Sequence, residues 1–419
     1  MARTPLAWCN LTHDRVRFAL FVLGIVFAVV LMFVQVGIRG ALLDSNTLLH
    51  EHLNADLVLV SPSRQMVSMR ESFSKHRLTQ AAAVPGVRDT VPLYLDNTLG
   101  QLRDTHPDAR SREPSRSIRV IGIPPQAHAL KLPELDPTDE RYLGKRLQEP
   151  GTAIYDRKTK RKPAGADEGP PTGDPDFILS VFGPMARDRS SELAGQTITF
   201  TGSFAIGPDF TSDGTLIMSA ESFGAILRRP YTMGDPLADV DLGLIRLEPG
   251  ADLEQVRAAI LRAVTAGGSG DPDVDVVTVS ELMDREQTFW KTNTPIGFTF
   301  GFGMFMGFVV GLVICYQILS GDVADHLPEY ATLKAVGYRN WYLGWIVVQE
   351  ALILAVVGYV VGLGLSWAAY EGLTYSTGMP LRMTPERAVL VLVATLFMCV
   401  VSAMIALVKL LRADPADVF

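Results

Sequence analysis

The triplet His50-Glu51-His52 carries the residue types of a zinc-binding helix but not their spacing. An H-E-x-x-H motif would need a histidine at position 54, which is Asn54. Side chains two apart on a helix do not face one another, so the pair reads as two exposed side chains on a stalk, and no metal ligands are assigned. No G-x-x-x-x-G-K-[ST] segment is present to hold a nucleotide, and no G-x-S-x-G segment offers a serine nucleophile. Catalytic and cofactor-binding residues are therefore left unassigned as well. Glu350 is the one ionisable side chain inside a long apolar run. Such a group is costly in lipid and faces protein or water, which leaves two readings, a coupling residue or a satisfied contact between helices. No second acid, histidine or arginine accompanies it, which argues against a proton relay.

These residues sit in a chain whose composition sets its class. Of 419 residues, 48% are hydrophobic and 20% charged, with mean hydropathy +0.20. The apolar residues gather at the two ends instead of recurring along the whole chain, as a soluble fold would require. A net charge of −7 argues against nucleic-acid binding. Cys9, Cys315 and Cys399 lie in or just before apolar runs, so the middle of the chain has no disulfide framework and must fold on its own core. Its length of about 250 residues suffices for that, as two lobes.

A bilayer takes roughly 20 apolar residues to cross, and four runs qualify: 18–38, 296–319, 345–368 and 388–408. The first is too long for a signal peptide, and no small-residue cleavage site follows it in GIRGALLDS, so it is expected to be a retained anchor. Arg3, Arg15 and Arg17 precede it, Lys334 and Arg339 lie between the second and third runs, and Lys409 and Arg412 follow the fourth. Only Arg382 and Arg387 lie in the short segment on the other side. This bias places residues 1–17, 320–342 and 409–419 in the cytoplasm and 39–294 outside. The expected class is an α-helical membrane protein with four transmembrane helices, one plus three, and a large α/β extracytoplasmic domain with an inserted β-rich lobe.

Within the outer domain, Leu42, Leu49 and Leu53 recur at helical spacing after the first span, and Leu282, Met283, Phe289 and Trp290 do so before the second, with Ser280 as an N-cap candidate. Both spans are expected to continue outward as stalks, fifteen residues projecting roughly 20 Å; the alternative is two amphipathic segments lying on the lipid. A strand–helix–strand unit then occurs twice, as Asp56–Val60, Leu78–Ala83 and Val87–Leu95, and as Val240–Leu247, Leu253–Val264 and Val274–Val279. Turn signals precede each second strand, Pro85-Gly86 and Gly270-Asp271-Pro272. The membrane-proximal part is thus expected at about 55–99 and 236–280, with the β-rich lobe between, at about 100–235. Lys158–Asp176, charged and rich in Pro and Gly, reads as a mobile loop.

Glycines mark the membrane helices. Gly303, Gly307 and Gly311 fall four apart in the second span, and Gly297 and Gly301 form another such pair. Gly358 and Gly362 repeat the relation in the third, followed by Gly364. Small residues at this spacing let helix backbones approach closely in lipid.

Between the second and third spans the run Glu329-Tyr330-Ala331-Thr332-Leu333-Lys334-Ala335-Val336-Gly337-Tyr338 is similar to the E-I-G-x-L-[KR]-A-[IL]-G-A motif of the FtsX/MacB-like ABC permeases. The arginines that usually precede that motif are replaced by Asp325, His326, Leu327 and Pro328. Gln349-Glu350-Ala351, the glycines of the third span and the closing LRADPADVF also resemble that family. The opening PLAWCNLTHDRVRFALFVLGIVFAVVLMFVQVGIRGALLDS, followed by ADLVLVSP, resembles its DevC-type members, the best known of which serve glycolipid export.

The resemblance implies a non-catalytic, mechanotransmission permease in the bacterial inner membrane, with both termini cytoplasmic and its large domain periplasmic. It implies a homodimer, a separate ABC ATPase that holds the ATP and Mg, a periplasmic adaptor and an outer-membrane channel. Glu329–Tyr338 would be the coupling helix seated in a groove of the ATPase. Leu333, Val336 and Tyr330 would fill apolar pockets, Glu329 and Lys334 would make polar contacts at the rim, and Gly337 and Tyr338 would belong to the same helix. ATP-driven closure would move the stalks, and the substrate, a glycolipid or another lipophilic molecule, would be handled outside the membrane. An FtsX-like permease that activates a cell-wall hydrolase, and a receptor with a ligand-binding outer domain, are the competing expectations.

Overall fold

The protein is described by a computed structural model covering residues 15–97, 100–103, 116–159, 178–181, 196–228, 234–265, 273–325, 332, 336, 340–377 and 381–412. Helices of eight or more described residues are α1 (Arg15–Glu51), α2 (Lys75–Ala82), α3 (Leu253–Thr265), α4 (Val279–Thr292), α5 (Pro295–Asp325), α6 (Asn340–Thr377) and α7 (Pro385–Arg412). One eight-stranded sheet is built from β1 (Leu57–Val60), β2 (Val87–Asp96), β3 (Arg119–Ile123), β4 (Thr152–Asp156), β5 (Thr199–Phe204), β6 (Thr215–Ser219), β7 (Leu242–Leu247) and β8 (Asp275–Thr278). The chain divides into two compact units, one of Met1–Ala41, Thr294–Ser376 and Pro380–Phe419, the other of Leu42–Asn293 and Thr377–Met379.

The first unit holds the four helices that are long and apolar enough to cross a membrane, within Phe18–Glu51, Pro295–Asp325, Gly344–Tyr375 and Pro385–Val408. Each contains one of the apolar runs expected to span. A shared core of Ile25, Ala28, Val29, Met32 and Phe33 from α1, Cys315 and Leu319 from α5, Ala351, Leu354 and Ala355 from α6, and Met398, Cys399 and Ala403 from α7 joins them.

In the second unit the sheet order is β5-β4-β6-β3-β2-β7-β1-β8. β1 pairs antiparallel with both β7 and β8, and β7 pairs antiparallel with β2. Each copy of the repeated unit therefore straddles one strand of the other, the split βαβ arrangement of ferredoxin-like folds. The alternation of side chains sorts the two faces. Leu57 and Leu59 point to a core shared with Ala81 of α2 and with Val256, Ile260 and Val264 of α3. Val58 and Val60 point to the opposite core, with Leu48, Leu49 and Leu53 at the end of α1 and Leu282 of α4. All four residues of β1 are fully buried, which is why this strand reads as a continuous apolar run.

The segment inserted between β2 and β7 divides in two. β3, β4, β5 and β6 extend the same sheet past β2, the last residues of which, Tyr94–Asp96, pair with β3 while its earlier ones pair with β7. A separate four-stranded sheet of Arg116–Ser117, Gly100–Arg103, Ile178–Val181 and Gln196–Thr197 forms the small lobe. Gly86, at φ +91°, makes the turn expected before β2. The turn signal at 270–272 lies outside the described residues, as does most of the expected loop at 158–176.

Two local expectations need correction. The N-cap of α4 is Thr278, not Ser280: Thr278 Oγ1 accepts from the Glu281 amide at 3.1 Å, and Thr278 N donates to Glu281 Oε2 at 2.9 Å. A capping box needs Glu or Gln three residues on, which Thr278 has and Ser280 lacks. The second stalk is also not continuous with its span. α4 ends at Thr292, with the Asn293 amide donating to Phe289 O at 2.8 Å, and α5 starts afresh at Pro295. A proline has no N–H to continue the ladder and favours the first helical position. α1, by contrast, is a single helix of 37 residues.

Candidate functional site

The glycine rows of the membrane unit meet α1. A Cβ built on Gly303 would lie 2.6 Å from the Gln35 carboxamide, one on Gly307 would touch Met32 Cγ at 3.5 Å, and one on Gly311 would reach 2.6 Å from Ala28 Cβ and overlap the Met398 sulfur. The α1 partners descend as the α5 glycines ascend, so the two helices run antiparallel. Gly358 and Gly362 of α6 meet Ile25 and Val29, each with a would-be Cβ 2.6 Å from the side chain; here the numbers rise together and the helices run parallel. α1 is thus gripped on two adjacent faces. Gly301 and Gly364 have nothing within 4 Å.

Sequence reasoning missed the reciprocal glycines on α1. Gly24 is crowded by Ile314, at 2.7 Å from a would-be Cβ, Gly37 by Tyr370 and Gly40 by Arg387. Tyr370 also donates its hydroxyl to Phe33 O at 2.5 Å, and Tyr359 donates to Ala388 O at 2.9 Å. Gly37 and Gly40 sit three apart on one helical face, a signal that was readable in VGIRGA.

Glu350 is fully buried in α6, beside Val347, Ala351 and Leu354 in the membrane core. Of the segment expected to couple to an ATPase, Glu329–Tyr338, only Thr332 and Val336 are described. The Val336 amide donates to Thr332 O at 3.0 Å, an α-helical i→i−4 bond, and the Val336 side chain is 73% exposed. Glu329, Tyr330, Leu333, Lys334, Gly337 and Tyr338 lie outside the described residues.

The stalk ends depart from expectation. His50 is not a surface residue: it is 1% exposed and its Nε2 lies 3.3 Å from Glu286 Oε2 on α4. The reason lies in α4, where Leu282, Glu286 and Trp290 form the buried stripe at i, i+4 and i+8. An acid flanked at helical spacing by two apolar residues was the missed signal. Glu286 also accepts from the Val67 amide at 3.1 Å and from Trp290 Nε1 at 3.3 Å. Burial pushes its carboxyl up to about 7 against these donors. His50 belongs to the outer unit, where burial first, then Arg119 and Arg64, push its imidazole down to about 3. Glu51 is exposed, and His52 turns its Nδ1 to Leu48 O at 2.8 Å, so the triplet converges on nothing. No cluster of three metal-ligating side chains occurs among the described residues.

Around this pair lie two buried ion pairs. Arg64 Nη2 bonds Asp241 Oδ1 at 2.8 Å while its other nitrogens reach Glu71 O and Val67 O. Arg119 pairs with Asp209 and donates to Asn97 Oδ1 at 3.2 Å. Charge-assisted, multiply bonded arginines of this kind fix loops firmly onto a sheet.

Comparison with known proteins finds two domain patterns in this chain, the MacB-like periplasmic core domain over residues 18–263 and the FtsX-like permease C-terminal domain over residues 301–415. Among solved structures, the extracellular domain of the noncanonic ABC-type transporter YknZ from Gram-positive bacteria is 14% identical, with a TM-score of 0.32 over 54% of this chain and 100% of that one. The periplasmic region of MacB from Actinobacillus actinomycetemcomitans is 9% identical, with a TM-score of 0.34 over 56% and 92%. A domain of a putative permease from Porphyromonas gingivalis is 13% identical, with a TM-score of 0.30 over 54% and 89%.

Proposed function

Because the chain belongs to the family of FtsX-like and MacB-like permeases, we propose that it is the membrane subunit of an ABC exporter that converts ATP hydrolysis on a separate ATPase into movement of its periplasmic domain. The observation that carries this reading is the single helix α1, which supplies Ile25, Ala28, Val29, Met32 and Phe33 to the membrane core and Leu48 and Leu49 to the core of the outer unit. A rod anchored in both cores suits the transmission of force better than the lining of a pore. The segment Glu329–Tyr338 is its input, docked in an apolar groove of the ATPase through Leu333, Val336 and Tyr330. The ATPase holds ATP and Mg, and this chain contributes no catalytic group.

The substrate class follows from the same division of labour. Lipophilic cargo, glycolipid-like as in the DevC-type members that the first sixty residues resemble, is taken up outside the membrane by the periplasmic domain of a homodimer. A periplasmic adaptor and an outer-membrane channel carry it onward. The test is co-purification: a tagged chain expressed from its native operon should retain an ABC ATPase in equal stoichiometry, together with an adaptor. Recovery of a cell-wall hydrolase in place of the adaptor would replace export with signal transmission. Recovery of neither an ATPase nor any partner would overturn both.

A further inference from the structure

The buried pair His50 and Glu286 sits where distant parts of the outer unit converge. Three chain segments distant in sequence meet on one carboxylate: the last turns of α1 through His50, α4 through Glu286 and Trp290, and the loop after β1 through the Val67 amide. We propose that the His50–Glu286 contact is a proton-operated latch that ties these three segments together while the carboxylate is ionised and holds His50 less firmly when it is protonated.

The geometry supplies both states. An ionised carboxylate only accepts, and here it takes an N–H from Val67 and one from Trp290, with His50 Nε2 3.3 Å from Oε2 and placed to give a third. All donors are then used. With Nε2 carrying the ring proton, Nδ1 is the bare nitrogen, and it has no hydrogen-bond partner among the described residues. A proton added to Glu286 must donate to something, and the carboxyl oxygens are already surrounded by donors. Accepting it at His50 Nε2 would move the ring proton to Nδ1, where it would be buried and unsatisfied. Keeping the ring as it is would put two protons face to face. The first course keeps the contact at the cost of a buried, unpaired N–H and the second breaks it, so in both the protonated state holds His50 less firmly.

The charges facing the pair set the balance. Arg119 of β3 is matched by Asp209 on the loop after β5, and Arg64 on the loop after β1 by Asp241 just before β7. Those four cancel, so Glu286 is the remaining anion of a buried group. Burial favours its neutral form while the donors and Arg119 favour the anion, which leaves the carboxyl titrating near neutral pH. Two states close in energy that differ by a proton and a weakened contact are what a switch requires. The latch stands on this geometry alone; its use as an external-pH control on ATP-driven stalk movement rests on the proposed function.

The test uses the full chain in nanodiscs with Trp8, Trp341, Trp345 and Trp367 replaced by phenylalanine, leaving Trp290 as the sole indole. Its emission should show one step between pH 5.5 and 8.5 with a midpoint near 7, absent in Glu286→Gln. Below that midpoint the Val67 or His50 backbone amide, normalised to amides of β1, should exchange faster by roughly tenfold. If Glu286→Gln does not fold, His50→Phe serves, since losing a donor to the anion should raise the midpoint by about one unit. Flat emission, a step that persists in Glu286→Gln, or a step without any change in exchange each overturns the latch. These outcomes require no ATPase. A latch that titrates as described while the ATPase rate of the reconstituted complex ignores external pH would leave the latch standing and remove only its link to the proposed function.

Discussion

Gly358 of α6 lies so close to Ile25 of α1 that a Cβ there would stand 2.6 Å from the isoleucine Cγ2, and one turn further on Gly362 repeats the relation with Val29. In lipid there is no hydrophobic driving force to hold helices together, so such close approach contributes contact energy that a larger residue would forfeit.

Gly358→Ala should therefore overpack the α1–α6 contact and destabilise the membrane unit by about 1–3 kcal/mol. Gly364→Ala, where nothing lies within 4 Å, is the matched control and should be near neutral. Thermal unfolding of the full chain in one detergent reads both. Equal melting temperatures for the two variants would mean that the α6 glycines are incidental.

The second prediction concerns pH. The Glu286 carboxyl, ordinarily near 4.5, is raised by burial to about 7. The folded protein thus binds this proton more tightly than the unfolded chain does. The associated stability is fully present below about 4.5 and is lost as pH rises through 7, amounting to roughly 3 kcal/mol by linkage. His50 acts in the opposite sense: lowered from 6.5 to about 3, it contributes stability present above 6.5 and lost as pH falls toward 3. The two slopes nearly cancel below about pH 6.5, so melting of the outer unit should weaken between about pH 6.5 and 8, and Glu286→Gln should remove that decline. A slope unchanged in the glutamine variant would show that other groups set it.

Arg64 is the third target. It is 2% exposed and bonds Asp241, Val67 O and Glu71 O. Arg64→Met keeps much of the apolar stem but takes the cation from Asp241, which still accepts the Leu95 amide at 2.8 Å. Breaking one partner of a buried pair costs about 3–5 kcal/mol, far more than a surface exchange such as Arg141→Met should. Urea unfolding followed by Trp290 emission separates the two. A difference below the scatter of the measurement would place Arg64 outside the framework.

How much of this was legible in the sequence depends on period. The four spans were readable because lipid imposes long uninterrupted apolar runs, and the doubled strand–helix–strand unit because β1 and β7 are short apolar runs followed by α2 and α3. Which strands neighbour which was not readable, since pairing β1 between β7 and β8 joins residues far apart along the chain. Nor did local pattern show that β3 to β6 extend the same sheet instead of forming a lobe of their own. At the stalk ends the His50-Glu51-His52 triplet drew attention through its composition, whereas the informative residue was Glu286, an acid at the centre of an apolar helical stripe. The break at Asn293 could have been foreseen from Pro295, whose missing N–H forbids the continuous second stalk.

The coupling segment is where the proposed function is most exposed to refutation. Helix-in-groove docking concentrates binding energy in a few buried anchors, with rim charges contributing less. Leu333 is the proposed central anchor, and Val336, 73% exposed in the isolated chain, would be covered by the ATPase. Leu333→Asp would set an uncompensated charge in an apolar groove, a cost of roughly several kcal/mol. It should release the ATPase and abolish export while leaving membrane insertion and the Trp290 signal of the outer unit unchanged. Lys334→Glu should be milder, because a partly solvated contact is worth about 1 kcal/mol or less, and a charge reversal on the ATPase should restore it. Co-purification of the ATPase with each variant, alongside export in cells, is the measurement. Leu333→Asp that still holds the ATPase at wild-type stoichiometry and still exports would reduce Glu329–Tyr338 to a connector, and the input of the machine would have to lie elsewhere on the chain.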